Sequence, residues 1–285
     1  MKTRRFRLLD LLVRRFPETP RERLLASVLC GDVLVEGEKV RDPRRPVREG
    51  AGIVFAAGGY ASRGGEKLEG ALRAWEVETD GRVALDAGSS TGGFTDCLLK
   101  RGAALVHAVD SGRGQMRESL RRDPRVRLRE GANIMAVERL EPAPDFAVCD
   151  LSFRSLRGAA RHIAGLTRSG ILYALVKPQF EWRDPPEEFD GVVRDPDALT
   201  EILTDLAGAL AGEGLEVKDL VESPIPGRAG NREFFFLLKA GRAGGAGGAG
   251  EAGGAGGAGG AGEAGGACGA CGIGEKIRRL VRGSA

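Results

Sequence analysis

The chain contains no run of about 18 apolar residues, so nothing in it has the length and hydrophobicity of a membrane-spanning helix. It opens on a basic stretch, Met1-Lys2-Thr3-Arg4-Arg5, but Asp10, Arg14 and Arg15 interrupt the apolar residues behind it. A secretory leader is therefore not expected. Cysteine is sparse: five residues, scattered except for Cys268-Gly269-Ala270-Cys271. That is no disulfide framework and points to a reducing cytoplasm. The lone C-x-x-C has no second pair, and the two histidines, His107 and His162, lie far from it in sequence, so no metal site is expected. Proline is missing from 241–274, where 18 of 34 residues are glycine and most others alanine. Without proline the three-residue rhythm is not collagen, and the segment cannot bury a core; it reads as a flexible, disordered linker.

What is present fits one full α/β domain and a smaller one in 285 residues. The net charge of +3 is unevenly spread. Residues 1–57 carry 13 Lys and Arg against 8 Asp and Glu, whereas 58–239 carry 25 against 29. A small basic module beside a near-neutral domain suggests delivery to a polyanion.

The basic piece has its own pattern. Phe6, Leu9, Leu12, Val13 and Phe16 form one helical stripe over Arg5 to Phe16. Thr19-Pro20-Arg21-Glu22 offers an N-cap, a proline at the first helical position and a capping-box glutamate. A second helix then runs through Leu24, Leu25, Val28 and Leu29 to a stop at Gly31. Val33–Val35, the Glu36-Gly37-Glu38 turn, Val40 and Ile53–Phe55 read as short strands. The order helix, helix, Gly-Asp-Val-Leu-Val-Glu-Gly, closing strand resembles the S-four RNA-binding module over about residues 4–57. By that resemblance Arg4, Arg5, Arg21, Arg23 and Lys39 are candidates for phosphate contacts, which give affinity without sequence choice.

Beyond Gly58-Gly59, apolar runs alternate with helical stretches. Candidate strands are Val83–Leu85, Leu105–Val109, Val126–Leu128, Phe146–Cys149, Ile171–Val176, Glu216–Val221 and Phe234–Leu238. Helical patterns cover Lys67–Trp75, Thr95–Arg101, Gln115–Arg121, Leu156–Leu166 and Leu199–Glu213. The alternation implies a mostly parallel sheet covered on both faces, with ligands at the carboxyl ends of the strands. The most informative stretch is Asp86-Ala87-Gly88-Ser89-Ser90-Thr91-Gly92-Gly93-Phe94, a strand end, a tight loop and a helix start. Such a turn brings backbone N–H groups close to a nucleotide-like cofactor. It lacks the G-x-G-x-x-G spacing of dinucleotide sites and the G-K-[ST] of a P-loop. Asp110 closes the second strand, where an acid can bind ribose hydroxyls, and the loop with that acid looks like an S-adenosylmethionine site.

Four further segments stand out, one before this loop and three after it: Ser62-Arg63-Gly64-Gly65-Glu66-Lys67-Leu68, Cys149-Asp150-Leu151-Ser152-Phe153, Leu175-Val176-Lys177-Pro178-Gln179-Phe180-Glu181 and Gly230-Asn231-Arg232-Glu233-Phe234-Phe235. With the Asp86–Phe94 loop they closely resemble the TlyA family of ribosomal RNA 2′-O-methyltransferases, also called hemolysin A-like proteins, over about residues 4–239. That family shares its catalytic domain with the FtsJ-like methyltransferases and their Lys-Asp-Lys-Glu tetrad. The resemblance implies a Rossmann-like, seven-stranded α/β domain at 62–240, preceded by a small α+β RNA-binding domain at 1–57 and a linker at 58–61. It also implies S-adenosyl-L-methionine as cofactor, cytidine ribose of ribosomal RNA within ribosomal subunits as acceptor, and a cytoplasmic protein without membrane or metal. The carried-over tetrad is Lys67, Asp150, Lys177 and Glu233.

Such a set suits the chemistry. A ribose hydroxyl is a poor nucleophile and a sulfonium methyl a good electrophile, so what is missing is a base held at the 2′-oxygen. Lys177 would be that base, with burial or a neighbouring cation such as Lys67 favouring its neutral form. Asp150 would orient lysine and ribose, and Glu233 would fix the lysines. By the same resemblance Asp86, Gly88, Ser90, Thr91, Gly92, Gly93 and Phe94 wrap the methionine end and sulfonium, Asp110 holds the ribose, and Asn133 reaches the adenine edge.

Two departures stand out: Ser89 where the family often has alanine, and a glycine-rich Gly58-Gly59-Tyr60-Ala61 junction, which predicts looser coupling between the domains. Residues 275–285 read as a short basic tail, within an amphipathic helix over Ile273–Arg282 that could touch RNA or pack back. Two rival classes remain at this level. One is a membrane-lytic protein, as the hemolysin label suggests, which no spanning segment or barrel pattern supports. The other is a catalytically inactive RNA-binding factor, against which the intact tetrad and loop speak.

Overall fold

A computed structural model of the chain describes residues 4–55, 59–152, 155–241 and 269–283. The N-terminal part contains β1 (Arg5–Arg7), α1 (Leu8–Arg15), α2 (Arg21–Cys30), β2 (Val33–Val35), β3 (Glu38–Val40), β4 (Pro46–Arg48) and β5 (Ile53–Phe55). The helix expected from Arg5 is divided. Arg5–Arg7 pairs antiparallel with β4, Phe6 opposite Val47, and α1 begins only at Leu8. A helix start with no side-chain cap gives way to strand pairing there. Thr19 does not cap α2 either: Pro20 occupies the N-cap, with no side-chain cap bond. Gly31 ends that helix as expected, in the left-handed region at φ 78°. The remaining strands form a sheet of order β3-β2-β5. Leu8, Leu12, Leu24, Val28 and Val33 are fully buried between the helices and strands.

The larger part runs α3 (Arg63–Ala74), β6 (Val83–Ala87), α4 (Gly93–Lys100), β7 (Leu105–Asp110), α5 (Glu118–Arg121), β8 (Val126–Glu130), β9 (Phe146–Cys149), α6 (Ala160–Gly165), β10 (Ile171–Val176), α7 (Pro178–Glu181), α8 (Pro196–Gly212), β11 (Leu215–Glu222), β12 (Phe234–Ala240) and α9 (Gly269–Arg282). All seven anticipated strands are present in one sheet of order β11-β12-β10-β9-β6-β7-β8. Neighbours from β10 to β8 pair in parallel, and β12 runs antiparallel to both β10 and β11.

Side chains alternate between two cores. Ala84, Val106, Val148, Leu175 and Phe235 pack with Leu68, Leu72 and Leu98 of α3 and α4. Leu85, Ala147, Ala174, Phe234 and Phe236 pack with Ile163 of α6 and Leu203, Leu206 and Leu210 of α8. Period-two alternation with apolar residues on both faces is what a doubly covered sheet requires. The order of strands reverses direction at β6, whose neighbours β7 and β9 lead to opposite edges. A crevice therefore opens at the carboxyl ends of β6 and β9.

Several helices are shorter than their sequence patterns. α5 starts at Glu118 rather than Gln115, behind a loop with Gly114 at φ 67°, and α6 starts at Ala160, past Gly158 at φ 72°. Helix α7 was not anticipated; Pro178 supplies its first turn directly after Lys177. The tail helix packs back on the domain. Ile277 and Val281 are fully buried against the α8 side, Arg282 pairs with Asp197 at 2.8 Å, and Lys276 pairs with Asp219. Residues 242–268, including Cys268, lie outside the described residues, as does the Cys271 side chain.

At the junction Gly58 also lies outside the described residues, but Gly59–Ala61 is fastened to the larger domain. Lys100 Nζ donates to Gly59 O at 2.9 Å, Tyr60 Oη donates to Glu69 at 3.1 Å, and Ala61 N donates to Asp96 at 2.7 Å. An ion pair, Asp32–Arg117 at 3.4 Å, links the two parts directly. These bonds anchor Gly59–Ala61 to the larger part. Among the described residues, no helix is long and apolar enough to cross a membrane.

Candidate active site

The loop between β6 and α4 is shaped by backbone demands. Gly88 adopts φ 86°, and a Cβ there would lie 2.5 Å from the Asp150 carbonyl oxygen. Gly92, the N-cap of α4, adopts φ 91°, and a Cβ would strike Leu120 at 2.4 Å. At Gly93 a Cβ would lie 2.2 Å from Ser62 Oγ, so this glycine serves the close packing of α3 against α4. Ser90 holds a left-handed φ of 45°, stabilised because its N–H donates to Asp110 Oδ2 at 2.7 Å and its hydroxyl to Gln115 Oε1 at 3.0 Å.

Asp86 does not face the crevice. It is fully buried, with Oδ2 accepting from Thr95 Oγ1 at 2.7 Å and Oδ1 without a partner among the described residues. Burial pushes its carboxyl up to about 7, against the pull of the Thr95 hydrogen bond. It supports the loop from beneath. Phe94 is buried with its ring 5.9 Å from that of Phe235 and lines the crevice.

The crevice has two lobes. One, of about 620 Å³, is lined by Gly88, Ser90, Val109, Asp110, Asn133 and Ile134, among others. Asp110 accepts from the backbone of Ser90 and of Gly112, the latter at 2.6 Å; a carboxylate with two such bonds retains acceptor capacity for hydroxyls. Asn133 caps the turn at Ile134–Ala136 through Oδ1, which accepts from Met135 N at 3.0 Å. Its NH2 makes no hydrogen bond among the described residues. The other lobe, of about 440 Å³, is lined by Thr91, Gly93, Phe94, Lys67, Asp150, Lys177 and Glu233. Gly88, Ser90, Asp150 and Ser152 border both lobes.

In the second lobe the four charged residues form two ion pairs. Lys67, on the first turns of α3, pairs with Glu233, just ahead of β12; both are buried. Lys177, at the end of β10, has Nζ 2.5 Å from Oδ1 of Asp150 at the end of β9. That contact lies off the hydrogen-bonding direction: Oδ1 accepts no aligned bond, and Nζ donates to Ser152 Oγ at 3.1 Å and Leu151 O at 3.4 Å. Four residues separated by up to 166 positions thus converge on one cavity.

A profile of the FtsJ-like methyltransferases matches residues 60–240. The chain is 37% identical over 242 residues to the 16S/23S rRNA (cytidine-2′-O)-methyltransferase TlyA of Mycobacterium tuberculosis, covering 83% of this chain and 90% of that one. It is 34% identical over 212 residues to hemolysin A of Brachyspira hyodysenteriae, covering 73% and 88%. A solved structure from Streptococcus thermophilus, described as a hemolysin, superposes with a TM-score of 0.64 at 35% identity, covering 83% and 88%. The chain belongs to the FtsJ-like methyltransferases, among the TlyA proteins.

As a TlyA protein it is a methyltransferase that uses S-adenosylmethionine. Its crevice fits that group: the glycine at position 88 admits no side chain, Asp110 has lone pairs to spare for ribose hydroxyls, and the Asn133 amide retains donors. The candidate RNA contacts lie on the N-terminal part. Arg4 and Arg5 are exposed at β1, the Arg4 guanidinium 5.0 Å from the Phe6 ring centre. Arg21 opens α2 and lies 3.5 Å from Asp10, and Lys39 is exposed in β3. The Arg23 side chain lies outside the described residues.

The structure adds cavity-lining residues to which sequence reasoning gave no role: Ser62, Arg63, Ser152, Gln179, Phe180 and Arg228. All but Arg228 sit inside the motif segments, one to five positions from a tetrad residue, and that adjacency was the available signal. Among the described residues no group of three His, Cys, Asp or Glu could hold a metal ion. His107 and His162 are spent on the carbonyls of Pro142 and Ile134 at 2.9 and 3.0 Å.

Proposed function

We propose that this chain transfers a methyl group to the 2′-hydroxyl of a cytidine ribose in ribosomal RNA, in the cytoplasm, with Lys67, Asp150, Lys177 and Glu233 as its catalytic set. The observation that carries the reading is the convergence of Lys67–Glu233 and Lys177–Asp150 on one cavity bordered by the glycine loop. The acceptor is inferred from the M. tuberculosis relative, an rRNA (cytidine-2′-O)-methyltransferase, to which this chain is 37% identical over 242 residues.

Bound S-adenosylmethionine supplies an electrophilic methyl group on a sulfonium. Asp110 and Asn133 would hold its adenosine end and the 88–93 backbone its methionine end, with Asp86 acting through the loop it supports. At the acceptor, Lys177 in its neutral form would take the proton of the 2′-hydroxyl onto Nζ as the oxygen bonds to the methyl carbon and the methyl–sulfur bond breaks, leaving a neutral thioether. Asp150, in contact with Nζ, keeps the lysine directed at the oxygen. The Lys67–Glu233 pair closes the far wall of the cavity and keeps its charge balanced. Positioning of base and nucleophile is the main contribution asked of the protein here. Residues Arg4, Arg5, Arg21, Arg23 and Lys39 would hold phosphates of the RNA at the N-terminal domain, residues 1–57.

The test uses the purified chain, methyl-labelled S-adenosylmethionine and ribosomal subunits from cells lacking the gene. Digestion to nucleosides should give labelled 2′-O-methylcytidine. Label on a base, or none on RNA, would refute the reading.

A further inference from the structure

Leu29 sits in the last turn of α2, in the N-terminal part, yet it lines the cavity that holds Lys67, Asp150, Lys177 and Glu233. Every other described residue of that lining comes from position 62 onward. The residue is 40% exposed, and among the described residues only Leu29 and Val54 are large apolar groups left open to such a degree. Exposed leucines scattered singly over a surface need no explanation, but this one shares a cavity with charged and polar groups. Its position is fixed from the C-terminal side. Gly31, at φ 78°, stops the helix: its N–H donates to Val28 O and that of Asp32 to Ser27 O, both at 2.9 Å, the paired bonds of a Schellman stop. Asp32 pairs with Arg117 of the larger part at 3.4 Å, and the Arg117 N–H donates to Thr91 O at 3.2 Å in the glycine loop. Thr91 borders the same cavity. The end of α2 is thereby tied to the loop beside which Leu29 stands.

We propose that Leu29 completes the acceptor subsite from the N-terminal part, its side chain packing on the nucleotide whose 2′-hydroxyl meets Lys177. This rests on the ribose-methylating reading above. A leucine side chain offers apolar contact alone, so the group against it needs an apolar face. The adenosine end of S-adenosylmethionine belongs to the other lobe, whose lining does not include Leu29, and the methionine end to the 88–93 backbone. The acceptor nucleotide remains. To bring its ribose into a crevice at the strand ends it must leave its stack, which uncovers the faces of its base. An apolar side chain against such a face offsets part of the cost of unstacking, as leucine and isoleucine wedges do in kinked duplexes. The N-terminal part thus contributes to the transfer step as well as to docking.

The experiment compares full-length wild type, Leu29→Met, Leu29→Ala and Leu29→Asn. Met keeps the apolar bulk, Ala removes it, and Asn keeps the size without the apolarity. Three quantities are read: single-turnover methylation of ribosomal subunits at saturating enzyme, subunit affinity by filter binding, and S-adenosylmethionine affinity by calorimetry without RNA. The contact forms only once the nucleotide has entered the cavity, so its loss appears in the rate at saturation. Covering the 40% of Leu29 that is exposed corresponds to about three- to sevenfold in rate. Ala and Asn should slow transfer by that much, and Met should not. S-adenosylmethionine affinity should equal that of wild type in all three variants, which also reports that they fold. Wild-type rates in both Ala and Asn would overturn the proposal. So would a loss confined to subunit affinity, which would place Leu29 on a docking surface. A loss of S-adenosylmethionine affinity at an unchanged melting temperature would overturn it too, by placing Leu29 against the cofactor. Failure of the underlying reading looks different: wild type then methylates no cytidine ribose at all.

Discussion

Lys177 and Asp150 meet across the carboxyl ends of two adjacent parallel strands, Nζ 2.5 Å from Oδ1, with no aligned hydrogen bond between them. The lysine's aligned donors go to Ser152 Oγ and Leu151 O, so the carboxylate aims the amine without closing over it. Lys177→Ala should lower single-turnover methyl transfer by about 10²–10⁴-fold, the span of a general base. Lys177→Arg, which cannot give up its proton, should be equally impaired and should lose the ascending limb of the pH–rate profile. Equal rates for wild type and Lys177→Arg would remove the base from Lys177.

Gly88→Ala places a Cβ 2.5 Å from Asp150 O at φ 86°. The left-handed strain alone is worth about 1 kcal/mol, and the backbone clash adds to it. The variant should lose S-adenosylmethionine affinity by more than tenfold while RNA binding persists, as calorimetry and filter binding would read separately.

Asp86 makes stability depend on pH. In the folded chain burial holds its carboxyl up to about 7, while the unfolded value is 3.8. Unfolding therefore releases a proton between these values, and this group's contribution to stability falls as pH rises from about 4 to about 7, then stays level. Asp86→Asn removes that slope. The melting temperature of the variant relative to wild type should rise between pH 5 and pH 8; parallel curves would contradict the assignment.

The tail helix should contribute to stability despite its distance along the chain. Ile277 is fully buried, and Arg232, beside Glu233, donates to Val281 O at 2.9 Å and Leu280 O at 3.2 Å. Ile277→Ala should cost about 2 kcal/mol or more in urea unfolding if the helix stays docked during the transition. It should also speed proteolysis within 242–268. An unchanged midpoint and unchanged cleavage would mean that α9 is not held as seen.

Arg5→Ala and Lys39→Ala, both at exposed positions, should each reduce the salt dependence of subunit binding by about one unit of slope, with little effect on S-adenosylmethionine affinity. A slope equal to that of wild type in both would take RNA contact away from these residues.

Much of the fold was legible because its signals are local. Strands such as Phe146–Cys149 and Ile171–Val176 are short apolar runs bounded by loops, and their limits agree with the structure to the residue. The N-terminal ribbon was not legible: Phe6 fits a helical stripe, and only its pairing with Val47, some forty residues on, makes it a strand residue. The same holds for the tetrad. Motif resemblance picked out the four residues, but that they form two separate pairs depends on which strand ends adjoin. Asp86 shows the opposite failure. Its motif position suggested cofactor contact, whereas its burial behind Thr95 depends on packing beneath the loop, which spacing does not encode.

The most direct test of the central claim is a map of ribose methylation across ribosomal RNA from cells with the gene, without it, and with Lys177→Ala in its place. The account predicts at least one 2′-O-methylcytidine that is present only with the wild-type gene. If no ribose methylation depends on the gene, or if the Lys177→Ala cells retain it in full, the account is contradicted.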